Sequence, residues 1–222
     1  MLLLRRRALF DDKQQPIGTL LVDCPLNGDG LDISGNNYHL TPSVQAQWTT
    51  IGGRQVFYSP YANYDSYLDL LAPQQGTYIN NFRLEIEIFR ISNLGNNAIF
   101  IDGCGAAGSA KGIYSQAQHV TNPTLFEFGF VNAGSVVFLS YSPLSNVALN
   151  KWYKLIYQKK GVDVYLAIYD IDNKVFLQEY TGTMIANLVP TYTSIRIGRS
   201  LGAVSKPAQG YLRNLKIWIN LV

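Results

Sequence analysis

Residues 151–170 read KWYKLIYQKKGVDVYLAIYD, two apolar-rich runs joined at a glycine, and the way they alternate decides the fold. A two-residue turn at Lys160-Gly161 pairs Tyr157 with Val164, Leu155 with Leu166 and Tyr153 with Ile168. All six side chains are apolar or aromatic and share one side of the hairpin, so that side belongs to a core. The other side sets Trp152 beside Tyr169, Ile156 beside Tyr165 and Lys154 beside Ala167. A face this aromatic is too apolar to be left wet, and loops, a partner or a ligand must cover it.

The same pattern extends in both directions. Strand candidates stand at GTLLVDCPL, QWTTI, RQVFYS, SYLDLL, FRLEIEIFRI, NAIFID, TLFEFGFV, SVVFLSY, KVFLQEYTG, TSIRIGRS and GYLRNLKIWINL, nearly all separated by turn signals. No segment sustains a helical apolar period, and residues 186–193 hold a short helix or a loop. The spacing predicts an all-β chain folded as a two-sheet antiparallel sandwich, one domain over 19–222 behind an N-terminal arm, 1–18. In the arm, Leu2, Leu3, Leu4 and Phe10 surround Arg5, Arg6 and Arg7, a combination suited to docking on a partner with acidic groups.

Composition narrows the function. The 222 residues are 47% hydrophobic and 15% charged, enough to fill a large core. A net charge of +3 is too small by itself to imply a nucleic-acid binder, since such domains carry a clustered basic face, and no nucleic-acid partner is expected. No apolar run is long enough for a helical membrane span, and MLLLRRRALF inverts the order of a secretion signal, so synthesis without export is expected. Cys24 and Cys104 make no disulfide framework and read as thiols of a reducing compartment, their pairing left open.

Several segments taken in order resemble the concanavalin A-like (laminin-G-like) lectin and glucanase family. LLVDCPLNGDGLDISGNNYHLT is similar to its opening strand and Asp-x-Ser-Gly-Asn turn, here Asp32 to Asn36. FRLEIEIFRI resembles its long central strand, residues 149–170 its tryptophan-led hairpin, TSIRIGRS its Ile-Gly strand and GYLRNLKIW its closing strand. The resemblance implies a jelly roll and a binding function. Family members often carry acidic residues in the closing strand, where this chain has Arg213 and Asn214, so their calcium sites do not carry over. Asn27, Asp29 and Asp32 lack the spacing of a calcium loop and read as turn formers, so no cofactor or metal is expected.

Catalysis has little to stand on. Glu85 and Glu87 share one side of a strand, an arrangement that suits a pair of glycosidase carboxyls, but where the glucanase members of the resembled family hold a third acid this chain has Arg90. His39 and His119 show no zinc spacing, and IDGCGAAGSAKG lacks the Gly-Lys-Ser/Thr ending of a phosphate loop. A non-catalytic role is therefore expected. Carbohydrate binding would use Trp152, Tyr165 and Tyr169, with Trp48 more distant. A lectin-like domain without an export signal also fits a bacteriophage virion surface protein: a head fibre, decoration protein or tail component. Such a protein would be made in the host cytoplasm, and would contact other virion proteins, copies of itself and a glycan.

Overall fold

The computed structural model describes residues 18–60, 65–71, 81–91, 98–103, 112–119, 122–132, 135–184, 194–199 and 207–221. The arm residues Leu2, Leu3, Leu4, Arg5, Arg6, Arg7 and Phe10 lie outside them, as do Cys104 and residues 186–193. The described residues form fifteen strands in order. They are β1 (Thr19–Cys24), β2 (Leu40–Pro42), β3 (Gln47–Ile51), β4 (Arg54–Ser59) and β5 (Leu68–Leu71). After them come β6 (Asn81–Arg90), β7 (Ala98–Asp102), β8 (Gly112–His119), β9 (Asn122–Asn132) and β10 (Ser135–Pro143). The last are β11 (Trp152–Lys160), β12 (Asp163–Asp170), β13 (Val175–Thr183), β14 (Ser194–Ile197) and β15 (Gly210–Ile219). A 3-10 turn, Leu144–Val147, leads into β11.

The expected two-sheet antiparallel sandwich is the fold observed. One sheet has eight strands in the order β13-β12-β11-β6-β15-β4-β3, with β1 also pairing β15. The other has seven, ordered β10-β9-β8-β7-β14-β5-β2. Between them lies one apolar core in which Phe128 and Phe130 of the seven-stranded sheet meet Tyr157 of the eight-stranded sheet edge-on, at 5.8 and 6.2 Å. The Tyr157 hydroxyl donates to the Tyr114 carbonyl (3.3 Å), so a polar tip crosses the core without being stranded there.

Two strands escaped the sequence reading. In β8 the inward residues are Ile113, Ser115 and Ala117, mostly small, so no apolar alternation announces the strand. β2 is three residues long and ends at Pro42. The hairpin register also needs correction. Its turn is Gly161-Val162, not Lys160-Gly161, because Lys160 pairs with Asp163. Tyr157 therefore faces Leu166, Leu155 faces Ile168 and Tyr153 faces Asp170. On the other side Tyr169 stands opposite Lys154, Ala167 opposite Ile156 and Tyr165 opposite Gln158. Gly161 takes the positive φ, 59°, wanted at the first central position of a type II′ turn, and its N–H donates to Asn81 Oδ1 (3.0 Å). Moving the turn by one residue shifts the pairing by two, so every side chain keeps its expected face.

The closing strand β15 carries a bulge between Arg213 and Lys216, with Asn214 at φ 53°. Before it Leu212 points inward, and after it Leu215, Ile217 and Ile219 do. The extra residue switches the strand's parity, so both halves of L-x-x-L-x-I-x-I feed one core. Arg54 holds the bulge, donating to Asn214 Oδ1 (2.7 Å) and to the Pro25 carbonyl (3.1 Å).

The Asp-x-Ser-Gly-Asn segment is a turn, as expected. The buried Asp32 carboxylate accepts the backbone N–H groups of Asp23 (2.8 Å), Ser34 (2.9 Å) and Tyr38 (2.9 Å) and the Ser34 hydroxyl (2.9 Å). Asn36 ties the same loop to the Leu20 and Leu21 carbonyls. Burial pushes the Asp32 carboxyl upward, but the donors outweigh it and hold its pKa below the ordinary range. Its contribution to stability is therefore present above the ordinary carboxylate pKa and lost as pH falls through the depressed folded value. Asp32→Asn, which turns an acceptor towards converging donors, should cost about 1–3 kcal/mol in urea denaturation at neutral pH. Between about pH 6 and about pH 3 the wild-type protein should lose more stability than the variant; parallel losses would mean that Asp32 is not the group titrating.

Candidate functional site

The outer face of the eight-stranded sheet is where the sequence left its open question, and the strand registers organise that face into rows. In one row Tyr58 of β4 pairs with Tyr211 of β15, Tyr211 with Phe89 of β6, and Phe89 with Trp152 of β11. Their ring centroids are 5.1, 5.5 and 5.3 Å apart, so four rings from four adjacent strands form a continuous strip across the sheet. Tyr58, Tyr211 and Phe89 are half-buried. Trp152 is only 8% exposed, because the Arg213 guanidinium lies over its ring, 3.8 Å from the centroid.

The next row is polar. Arg213 pairs in register with Glu87, and Glu87 with Lys154. Arg213 Nε donates to Glu87 Oε2 (2.6 Å). One row further, Glu85 is bound by Arg83 (2.6 Å) and by Lys154 (3.0 Å), while Arg83 also donates to Gln158 Oε1 (3.2 Å). Burial pushes the Glu85 carboxyl upward, and the two cations outweigh that and hold it below the usual range. Burial, then the Tyr211 phenol, pushes the Tyr58 hydroxyl upward, so it stays a protonated donor beside the strip.

Trp152, Tyr165 and Tyr169 do share this outer face, but they do not form one platform. Tyr165 is buried in a small cluster with Ile156 and Ala167, against which Phe176 packs, and its hydroxyl donates to Glu179 (3.0 Å). Tyr169 is half-exposed and meets Phe176 edge-on at 5.0 Å. Trp48 contributes to the opposite side, edge-on to Phe57 at 5.5 Å and packed on the core. The face is thus covered largely by its own side chains.

Sequence reading missed Tyr58, Phe89 and Tyr211. The signal was present in part: Phe89 has the parity of Glu85 and Glu87, Tyr211 that of Arg213, and Tyr58 follows the inward Phe57. Glu85 and Glu87 lie outward as expected. Arg90 turns inward and donates to the Val147 carbonyl. Burial lowers the Arg90 pKa to about 10. Asp29 accepts from the Leu31 N–H (3.1 Å), a turn contact, and among the described residues no cluster of three His, Cys, Asp or Glu is placed to hold a metal.

No protein-family model matches the chain, and no curated protein matches it in sequence. Solved structures do resemble it. The binding domain of Paraclostridial Mosquitocidal Protein 1 superposes with a TM-score of 0.66 at 13% identity over 92% of this chain and 49% of its own. This chain thus spans about half the length of that toxin domain. Domain 4 of AbnA, a GH43 extracellular arabinanase from Geobacillus stearothermophilus solved with arabinotriose, gives 0.62 at 14% identity over 94% and 95% of the two chains. The CBM2 module of the Lactobacillus casei BL23 phage J-1 evolved Dit gives 0.53 at 12% identity over 94% and 99%. These likenesses establish a β-sandwich fold shared with binding domains and a phage tail component.

The strip depends on one close approach. A Cβ on Gly210 would lie 2.2 Å from the Phe89 carbonyl oxygen, so only glycine lets β15 sit against β6 where the rings meet. Gly210→Ala should cost about 1–3 kcal/mol and alter the near-ultraviolet circular dichroism of the aromatic row. An unchanged spectrum and melting temperature would show that the contact is not needed.

Proposed function

We propose that this chain is a non-catalytic, glycan-binding adhesion module of a bacteriophage particle. In family terms it is a concanavalin A-like, laminin-G-like jelly roll. The observation that carries the binding reading is the strip of half-buried rings at Tyr58, Tyr211 and Phe89 with a charged row beside it. The C–H face of a pyranose is apolar and slightly positive, so it stacks on the negative face of an aromatic ring. Its hydroxyls point to the rim, where Glu87 and Lys154 offer an acceptor and a donor.

Two likenesses support this reading: the arabinanase domain was solved with arabinotriose, and the phage J-1 module is described as carbohydrate-binding by its CBM2 name. The state of the carboxylates favours binding over cleavage. A glycosidase acid needs a raised pKa to protonate the leaving oxygen, whereas Glu85 is held low and Glu87 is engaged by Arg213. The virion part of the proposal extends to a head fibre, decoration protein or tail component, made in the host cytoplasm, displayed on the particle surface and contacting other virion proteins and further copies of itself.

Native affinity electrophoresis in gels cast with arabinan, xylan or mixed-linkage glucan tests the binding. Retardation in at least one polysaccharide is expected, with Tyr211→Ala weakening it up to about tenfold if a stacked ring supplies about 0.5–1.5 kcal/mol. Tyr165→Phe, at a buried ring, should bind as the wild type does. Equal retardation of wild type and Tyr211→Ala would remove the strip from the function. Mass spectrometry of gradient-purified particles should find the chain at stoichiometric level, and its absence there would end the virion reading.

A further inference from the structure

The geometry of the strip also limits which glycan it can take, provided that the glycan-binding reading holds. Successive rings are tilted: 42° between Tyr58 and Tyr211, 45° between Tyr211 and Phe89, and 59° between Phe89 and Trp152. A flat crystalline polysaccharide presents its sugar faces in one plane, and rings inclined in this way cannot all lie against one plane. A single chain whose sugars turn relative to one another can follow them. The strip runs from strand to strand, so such a chain would lie across the strands and not along them.

The strip also has ends. On one side it stops at Gln47, which pairs with Tyr58 on β3, the last strand of the sheet. On the other, Arg213 covers Trp152 and is anchored there by Glu87. Three rings are thus partly exposed, and the face of a fourth in line is covered by a stacked guanidinium.

We infer that the strip accepts a single soluble glycan chain through three stacking subsites, at Tyr58, Tyr211 and Phe89, and that Arg213 sets this length by occupying the face of Trp152. Arg213 is thereby a specificity-determining residue, acting by exclusion. A chain longer than three sugars gains no further stacking while Arg213 is in place.

Isothermal titration with arabino-, xylo- and cello-oligosaccharides, from disaccharide to hexasaccharide, reads the length directly. For the series that binds, affinity should rise up to the trisaccharide and then change by less than about twofold. Arg213→Ala should move the plateau to the tetrasaccharide, with about a threefold or greater gain for that ligand. Arg213→Met keeps the aliphatic stem over the indole and should leave the plateau at three sugars, provided both variants give the wild-type near-ultraviolet spectrum. Sedimentation with microcrystalline cellulose and with crystalline chitin should retain none of these proteins. Retention on a crystalline polymer that soluble chains fail to compete would overturn the single-chain inference and leave glycan binding standing. An affinity that keeps rising beyond three sugars, or a plateau that Arg213→Ala does not move, would overturn the role of Arg213. Binding to none of the soluble or crystalline probes would overturn the glycan-binding reading itself.

Discussion

The edge-on contact of Tyr157 with Phe128 and Phe130 fixes which side of the central strands faces inward. Once that ring is in the core, Leu155 and Tyr153 must follow it on β11, and Leu84, Ile86 and Ile88 on the paired strand β6. The alternate positions are then forced outward: Trp152, Lys154 and Ile156 on one strand, and Glu85, Glu87 and Phe89 on the other. Strand geometry leaves no third choice. The outer face is therefore as determined as the core, although little apolar burial drives it directly.

That outer face solves its exposure problem with mixed means. Near the hairpin end, Ile156, Tyr165 and Ala167 form an apolar cluster. Beside it, Glu85 binds Arg83 and Lys154, long side chains whose stems cover apolar neighbours while their heads pair. At the far end the rings cover one another, and Arg213 closes the row over Trp152. A buried ion pair is weak evidence for stability but strong evidence for register, because its partners tolerate little displacement. Here the pairs join β6 to β11 and to β15, the strands that supply the ring row.

Much of this was legible in the sequence, and the rest was not for physical reasons. Parity in β11 and β12 could be read because it is local and needs only alternation. The turn position could not, since Gly161 is settled by the Asn81 side chain, which is distant in the chain. β8 left no pattern because Ser115 and Ala117 face inward among large rings supplied by β9. The outward parity of Phe89 was visible, but its neighbours in the row come from β15 and β11, and adjacency of strands is a property of topology. The bulge at Asn214 hides the inward pattern of the closing strand from any simple alternation. Trp152 and Tyr165 were read correctly as outward, yet outward did not mean exposed, since Arg213 and the Ile156 cluster cover them.

Tyr211, the middle of the three partly exposed rings, is carried by β15, the last strand of the sandwich. β15 lies between β6 on one side and β4 and β1 on the other, so it is the keystone of the eight-stranded sheet. Tyr58 and Phe89 sit on strands that touch only through it. The ring row therefore does not exist in a nascent chain or in a partly closed sandwich, however complete its other strands. It appears only when β15 pairs with both β4 and β6, strands far from it in the chain. The binding proposed for this face would thus be coupled to finished folding, because a chain stalled short of closure does not display the ring row.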